Sequence, residues 1–540
     1  MASRRPAVLR RRLTSGLAVV VLSAVAVGCG DGGSSGSGGG AATAMTIATG
    51  ALPSVIDFDP ESAADGQSSG YLSRQMSGTL FGYNGMKNNP DTSAAVLPAE
   101  PELATGATVS PDGLTWTVSL RPDVKSQHGN TFSAPDVEWT IRRALDRKKS
   151  AATNLGLINI NPANPVTVVD DRTVAFNLTK PSHLFSDVLT IPSLAIFDSK
   201  AVKEKAGAAD PWGYEWLKTN TASFGPYQLE TSELPAKVVL GSNPNYWRGA
   251  PTVKRVTFVA MAESSTRLQA VLTGAVDYAP SMEAKDRATL ESSSTAKTYI
   301  QTAVGIHLYA LFVLDNPEVA DPNLRRALSL AIDRKAIVDS ALNGVGAAAT
   351  GCLAPVLNPP KTPDDVTVEP QIEEAKRLVA LAKGPKKVTI GYASLYTGGS
   401  VIPEILKRDW EAIGVETTLR PYGSFTTWFA DEADGKFGVG LGSFSPYVRD
   451  SSYMFYNLLK TGTAYNAGAF SDPAFDAATD QAWTGLTDDV RAKGTQQACD
   501  IVMADSPWAM LGLATGFTAI NKRVTPFSAG SPVVYNMRLA

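Results

Sequence analysis

The 540-residue sequence predicts an α/β protein, and three observations carry that prediction. The stretch 224–277 reads as a complete strand, turn, strand and helix unit: Phe224-Gly225-Pro226-Tyr227 and Asn243-Pro244-Asn245 are turns, Tyr227, Leu229 and Val238-Val239-Leu240 supply strand, and Leu268, Val271 and Leu272 follow at helical spacing. Further on, helical and strand patterns alternate over 373–381, 387–392, 402–413 and 415–420, which implies a parallel or mixed sheet. With 44% hydrophobic and 19% charged residues the composition is that of ordinary globular protein, and the length exceeds a single core.

The chain opens with an export signal. Arg4, Arg5 and Arg10 to Arg12 give a positive start, and the apolar run 17–27 is too short to cross a bilayer, so 1–28 reads as a signal peptide. Ala26-Val27-Gly28-Cys29 resembles the bacterial lipobox, with Ala26 where Leu is usual; the resemblance implies cleavage before Cys29 and a lipid on its sulfur. An ordinary secretory peptide with an incidental cysteine is the other reading, and Sec and twin-arginine export both stay open. Residues 30–44 are nearly all Gly, Ser and Ala, a coil of roughly 20 Å mean span that holds a domain off a membrane. Loss of 1–28 removes five Arg and no acidic residue, leaving 44 basic against 52 acidic side chains, a formal net charge of −8 instead of −3. That balance disfavours nucleic acid as a partner. Three His and three Cys, at no zinc-ligand spacing, give no reason to expect a metal or a cofactor.

Structure proper begins at Met45, with a strand over 46–48. Leu72, Met76 and Leu80 predict a helix over 71–81. A hairpin follows across 97–120, in which Leu114, Trp116, Val118 and Leu120 alternate as a half-buried strand. Ser133 and Asp136 form a capping box for a helix that buries Val137, Ile141, Ala144 and Leu145, and 166–176 is a hairpin around Asp170-Asp171-Arg172. Leu324, Leu328, Ala331 and Ile332 stripe another helix; Asp333 caps the next, which Gly344 or Gly346 ends. Beyond the alternating segment come a Gly-rich strand at 437–444, the loop 445–450, a helix over 470–483 and a return over 509–519.

Gly225-Pro226-Tyr227, then Asn243-Pro244-Asn245-Tyr246-Trp247-Arg248-Gly249-Ala250-Pro251, then Leu272-Thr273-Gly274-Ala275-Val276-Asp277 resemble, in order and spacing, a run typical of the solute-binding proteins of peptide-type ABC importers. That is the family of oligopeptide-, dipeptide- and nickel-binding proteins. Leu120-Arg121-Pro122-Asp123-Val124-Lys125 and the run from Pro322 to Val338 resemble two further family segments. The resemblance implies a periplasmic-binding-protein-like fold of type II, cluster C, with two lobes around a hinge and an extra subdomain in the first. The expected boundaries are 45–92, 222–306 and 512–540 for the central lobe I, 93–221 for lobe II and 307–511 for lobe III. It implies a monomeric receptor and no enzyme: a lipoprotein on the outer face of the cytoplasmic membrane that captures di- or oligopeptides between lobes and delivers them to an ABC permease and its ATPase subunits. Phe444, Tyr447, Arg449 and Asp450 are the expected ligand residues, with Ser68, Phe224, Asp315, Tyr396 and Trp428 as further candidates. Peptide binders of the family set an Asp, for the ligand's amino terminus, where this chain has Tyr447; Asp450 offers a carboxylate nearby and Arg449 a partner for a ligand carboxylate. An aromatic at that position also suits a sugar face, so an oligosaccharide or other non-peptide solute is the alternative.

Gly66-Gln67-Ser68-Ser69-Gly70 matches the hydrolase pattern G-x-S-x-G, making a secreted serine hydrolase the alternative from another class. A nucleophile elbow needs a buried strand before the serine, and 61–65 is polar and Ala-rich. Gly438, Gly440 and Gly442 lack the dinucleotide spacing and read as positions where a strand lets another backbone come close. His128, His183 and His307 are isolated and read as surface or core-edge residues. Cys352 and Cys499 both fall in the expected lobe III; a disulfide stabilising by roughly 4 to 5 kcal/mol and two buried free thiols stand as equal alternatives.

Overall fold

The computed structural model describes residues 43–59, 63–82, 99–353, 366–393, 399–446, 448, 450–463, 465–525 and 534–539, the side chains of 63–69 and 300–304 excepted. Strand β1 (Ala44–Thr49) leads to helix α1 (Ala63–Met76). The helix stops short of the expected 81 because the chain beyond it turns to a new partner: the Leu80 carbonyl accepts from the N–H groups of Glu102 at 2.9 Å and Ala104 at 3.1 Å. β2 (Ala104–Val109), β3 (Thr115–Leu120), β4 (Val166–Asp170) and β5 (Thr173–Asn177) form a four-stranded antiparallel sheet in the order β2-β3-β5-β4. α2 (Ala134–Arg147) starts on the expected capping box, the Ser133 N–H donating to Asp136 Oδ2 at 2.9 Å. Its Val137, Ile141 and Ala144 share a core with Val118, Val174, Phe176 and Phe185.

There follow β6 (Tyr227–Glu233), β7 (Lys237–Ser242), β8 (Arg255–Ala260), β9 (Tyr278–Met282) and the seventeen-residue β10 (Ala296–Phe312). The remainder is α3 (Pro322–Leu330), β11 (Gly346–Ala348), α4 (Ile372–Leu381), β12 (Lys387–Ala393), α5 (Val401–Glu411), β13 (Glu416–Tyr422) and α6 (Phe425–Ala433). β14 (Val439–Phe444), α7 (Ser451–Leu458), α8 (Pro473–Thr484), α9 (Asp488–Asp505) and β15 (Trp508–Asn521) complete it.

Eleven strands share one sheet in the order β13-β12-β14-β10-β15-β9-β1-β8-β7-β6, with β11 beside β15. β12 runs parallel to β13 and β14, and β1 parallel to β8 and β9; the other pairs are antiparallel. The stretches expected as lobes I and III thus meet in a continuous sheet. β10 and β15 pair from Ala296 with Asn521 to Leu311 with Trp508; their register breaks between Gln301 and Gly305 and shifts again between Leu308 and Tyr309. The two-residue period of β10 sends Leu308 and Ala310 to one face, against Leu324, Leu328, Leu406 and Trp410 of α3 and α5. Tyr309 and Leu311 go to the other, against Phe455, Phe475 and Val502 of α7, α8 and α9.

Buried polar groups tie distant segments together. Asp57 takes Arg143 Nη2 and Arg147 Nη1, each at 2.5 Å, which binds the segment before α1 to α2. Arg334 donates to the carbonyls of Ala349 and Met510 at 2.9 Å and of Ser329 at 3.1 Å, and burial lowers its guanidinium to about 10. Asp333 caps the helical turn that follows it by accepting from the Ala336 N–H, and Gly344, at φ 71°, lies beyond its end. The Cys352 and Cys499 sulfurs are bonded at 2.09 Å, joining the chain after β11 to α9.

Candidate ligand-binding site

β12 and β14 run parallel, and ligands of open α/β sheets bind outside the carboxyl ends of such strands. Here those ends open onto a small cleft of about 20 Å3. Tyr392 and Ala393 of β12 face Leu441, Gly442 and Ser443 of β14 across it, with Gly399 and Ile402 at the start of α5 and Leu308, Tyr309 and Leu511 from β10 and β15 completing the lining. Tyr392 is 8% exposed, and neither its hydroxyl nor that of Ser443 has a hydrogen-bond partner among the described residues.

The glycines of β14 make room for side chains, where close backbone approach was expected. A Cβ at Gly442 would overlap the Tyr309 ring, one at Gly440 would overlap the Glu432 carboxyl, and one at Gly438 would lie 2.8 Å from Glu318 Oε2. Glu432 is buried, its Oε1 has no partner among the described residues, and burial pushes its carboxyl up to about 8. His307, paired with Phe444 in the β10 and β14 register, is also buried with both ring nitrogens unpartnered among the described residues; burial lowers it to about 4.

The loop leaving β14 is fastened at its far end. Asp450 is the N-cap of α7, accepting from the Ser452 N–H at 2.8 Å. Its other oxygen lies 2.9 Å from His183 Nε2, and His183 Nδ1 lies 3.2 Å from the Trp483 carbonyl. The ring thus bridges two acceptors, the Asp450 carboxylate and the Trp483 carbonyl. Burial pushes the Asp450 carboxyl up, but the bonds from His183 and Ser452 outweigh it and hold the group below its ordinary value. Val448, Tyr453 and Trp483 enter the same apolar cluster as Phe185 and Val174, and Tyr456 stacks on Trp483 with ring centroids 4.2 Å apart.

The model of the bacterial extracellular solute-binding proteins, family 5, middle region, matches residues 99–466. This chain belongs to that family. Family 5 proteins bind small ligands for ABC permeases and their ATPase components, and they are not enzymes. The chain is 25% identical over 471 residues to heme-binding protein A of Haemophilus influenzae, covering 81% of this chain and 83% of the other. It is 26% identical over 439 residues to the glutathione-binding protein GsiB of Salmonella typhimurium, covering 79% and 82%. Among solved structures, DppA of Helicobacter pylori in complex with the peptide STSA superposes with a TM-score of 0.73 at 19% identity, over 92% of this chain and 98% of that one. The fold is that of the type II periplasmic binding proteins. Among the described residues no helix is long and apolar enough to cross a membrane.

Of the residues expected to meet ligand in this family 5 protein, Phe444 lies half-buried at the end of β14, its ring 5.7 Å from that of Tyr453. Tyr447, Arg449 and Tyr396 lie outside the described residues, as does Cys29. Asp450 is the N-cap of α7 and does not line the cleft, its carboxylate being committed to Ser452 and His183. Phe224 is corrected to a core residue, 1% exposed and packed on Phe132 at 5.0 Å. Trp428 is likewise core, its Nε1 donating to the Gly391 carbonyl at 3.0 Å. Asp315 is exposed in the turn after β10, at the end of that strand away from Phe444. The backbone sets Ser68 inside α1, so the strand-to-helix elbow of a hydrolase is missing there. His183, read as an isolated residue, is the functional candidate that the sequence alone did not reveal.

Proposed function

We propose that this family 5 protein is a monomeric lipoprotein receptor that captures short peptides and delivers them to an ABC permease. The supporting observation is the neutral cleft at the ends of β12 and β14, beside the fastened loop 445–450. Its apolar walls suit a ligand side chain, while the backbone leaving β14 offers N–H and C=O groups to an extended ligand, the main-chain mode of peptide capture. Phe444, Tyr447 and Arg449 would meet the ligand, and Asp450 would hold the loop. The relative named for glutathione, itself a peptide, and the peptide-bound DppA favour this over an oligosaccharide. Cys29 and the Gly- and Ser-rich stretch after it support the anchor.

Native mass spectrometry of the full chain, purified gently, then stripped and offered peptide and oligosaccharide mixtures, tests the reading. Added masses that fragment as peptides are expected; capture of sugars or other neutral solutes alone overturns it. Cys29→Ser should move the protein from the membrane fraction to the soluble one, and an unchanged distribution would remove the lipid anchor.

A further inference from the structure

Cys352 and Cys499 are 147 residues apart in the chain, and they are 1% and 0% exposed. Phe455 of α7, Phe475 of α8, Val502 of α9 and Trp508 and Met510 of β15 share their core. A disulfide is made by thiolate attack through a mixed disulfide, so an oxidant has to bring its own sulfur into line with one of the two. At this depth the folded core bars that approach, and an apolar setting disfavours the thiolate, which is the reacting form. In the unfolded chain both thiols stand in water. The sequence holds one further cysteine, Cys29, so nothing between 352 and 499 competes for either sulfur. The bond matters for the ligand side of the molecule, because the core it crosses also carries α7, whose N-cap is Asp450.

We infer that the bond between Cys352 and Cys499 is made by an extracytoplasmic thiol-disulfide oxidoreductase acting on the unfolded chain, which therefore crosses the membrane before it folds. One receptor thiolate opens the disulfide of the oxidoreductase and forms a mixed disulfide with it; the other receptor thiolate then attacks the receptor sulfur of that bond. The receptor gives up two protons and two electrons, and the oxidoreductase leaves as a dithiol. A chain folded beforehand in the reducing cytoplasm would arrive with both thiols sealed in the core. The inference rests on reading 1–28 as an export signal. It goes beyond that reading by choosing Sec-type passage of an unfolded chain over the twin-arginine route, which carries folded proteins.

The test compares oxidation before and after folding. The full-length receptor is unfolded in urea, reduced, freed of reductant and kept under argon; an oxidised oxidoreductase with a Cys-x-x-Cys site is added either as refolding starts or once refolding is complete. Free thiols are counted by the gel shift of a maleimide-linked polymer, and folding is followed by circular dichroism. The bond should form about tenfold or more faster in the first order of addition. Equal rates overturn the inference. A reduced chain that stays unfolded until it is oxidised supports it, since oxidation then precedes folding outright. In cells, replacing all five arginines of 1–28 by lysine, as Arg4→Lys, Arg5→Lys, Arg10→Lys, Arg11→Lys and Arg12→Lys together, keeps the positive start and should leave export and the disulfide intact. Loss of export in that variant alone overturns the unfolded route, whereas retention of the unsubstituted chain in the cytoplasm overturns the export reading as well.

Discussion

Around α2, two buried carboxylates are well partnered: Asp57 receives Arg143 and Arg147, and Asp136 accepts from the N–H and the hydroxyl of Ser199 at 2.9 and 2.8 Å. Behind the cleft, Glu432 and His307 are equally deep, yet Glu432 Oε1 and both His307 nitrogens lack partners among the described residues. The two regions use burial to opposite ends. Near α2 a retained charge joins segments 86 and 90 residues apart. Beside β14 the same low polarity discharges the groups, holding the His307 imidazole down at about 4 and the Glu432 carboxyl up at about 8, so that the sheet under the cleft carries little charge at neutral pH.

The largest effect that would probe this contrast is Asp57→Ala, which removes the carboxylate that two buried guanidinium groups share. It should cost about 5 kcal/mol, read as a lower urea midpoint at unchanged slope; a loss under about 1 kcal/mol would break the comparison on its charged side. Glu432 tests the other side. Its folded value lies above the ordinary 4.5, so its contribution is complete below about 4.5 and is lost as the pH rises through about 8. Across that window the wild type should lose about 5 kcal/mol relative to Glu432→Gln, and parallel stability curves would mean the carboxyl has a partner after all. His307 acts in the opposite direction: its folded value lies below 6.5, so stability falls as the pH drops from 6.5 and levels off below about 4. The expected loss is about 3 kcal/mol, absent from His307→Leu in the same titration of unfolding. The smallest effect belongs to the half-exposed pair between His183 and Asp450, with side chains 15% and 28% exposed. His183→Ala should cost about 1 kcal/mol overall while raising amide exchange in the first turn of α7, and an unaltered exchange pattern would detach His183 from the loop.

What could be read from the sequence was local. The alternation over 373–422 became α4, β12, α5 and β13 because the hydrophobic period changes from helix to strand within short, turn-marked distances. The capping box at Ser133 and the cap at Asp333 are contacts across three residues, so residue type and spacing sufficed. Phe224 and Trp428 went astray because an aromatic residue beside a turn can face a ligand or a core. Phe132 and the Gly391 carbonyl decide which, and no nearby pattern points to either. His183 was invisible for the same reason, its partners lying 267 and 300 residues away. The glycines of β14 were read as points of close backbone approach, whereas side chains from other elements, Tyr309 and Glu432, fill the space beside them.

The paired strands β10 and β15 are the girder common to both ends of the large sheet, laddered on either side of the interruption at 302–304. Sliding one strand along the other would break every rung at once, whereas a twist at the interruption asks only for small torsional changes in three residues. Gly305, where a Cβ would overlap the Leu513 side chain, keeps the two strands close at that joint. Rotation about that axle would therefore cost fewer hydrogen bonds than translation along it. Because β14 is paired with β10, a modest turn of the ribbon would carry the Phe444 end of β14 through an arc.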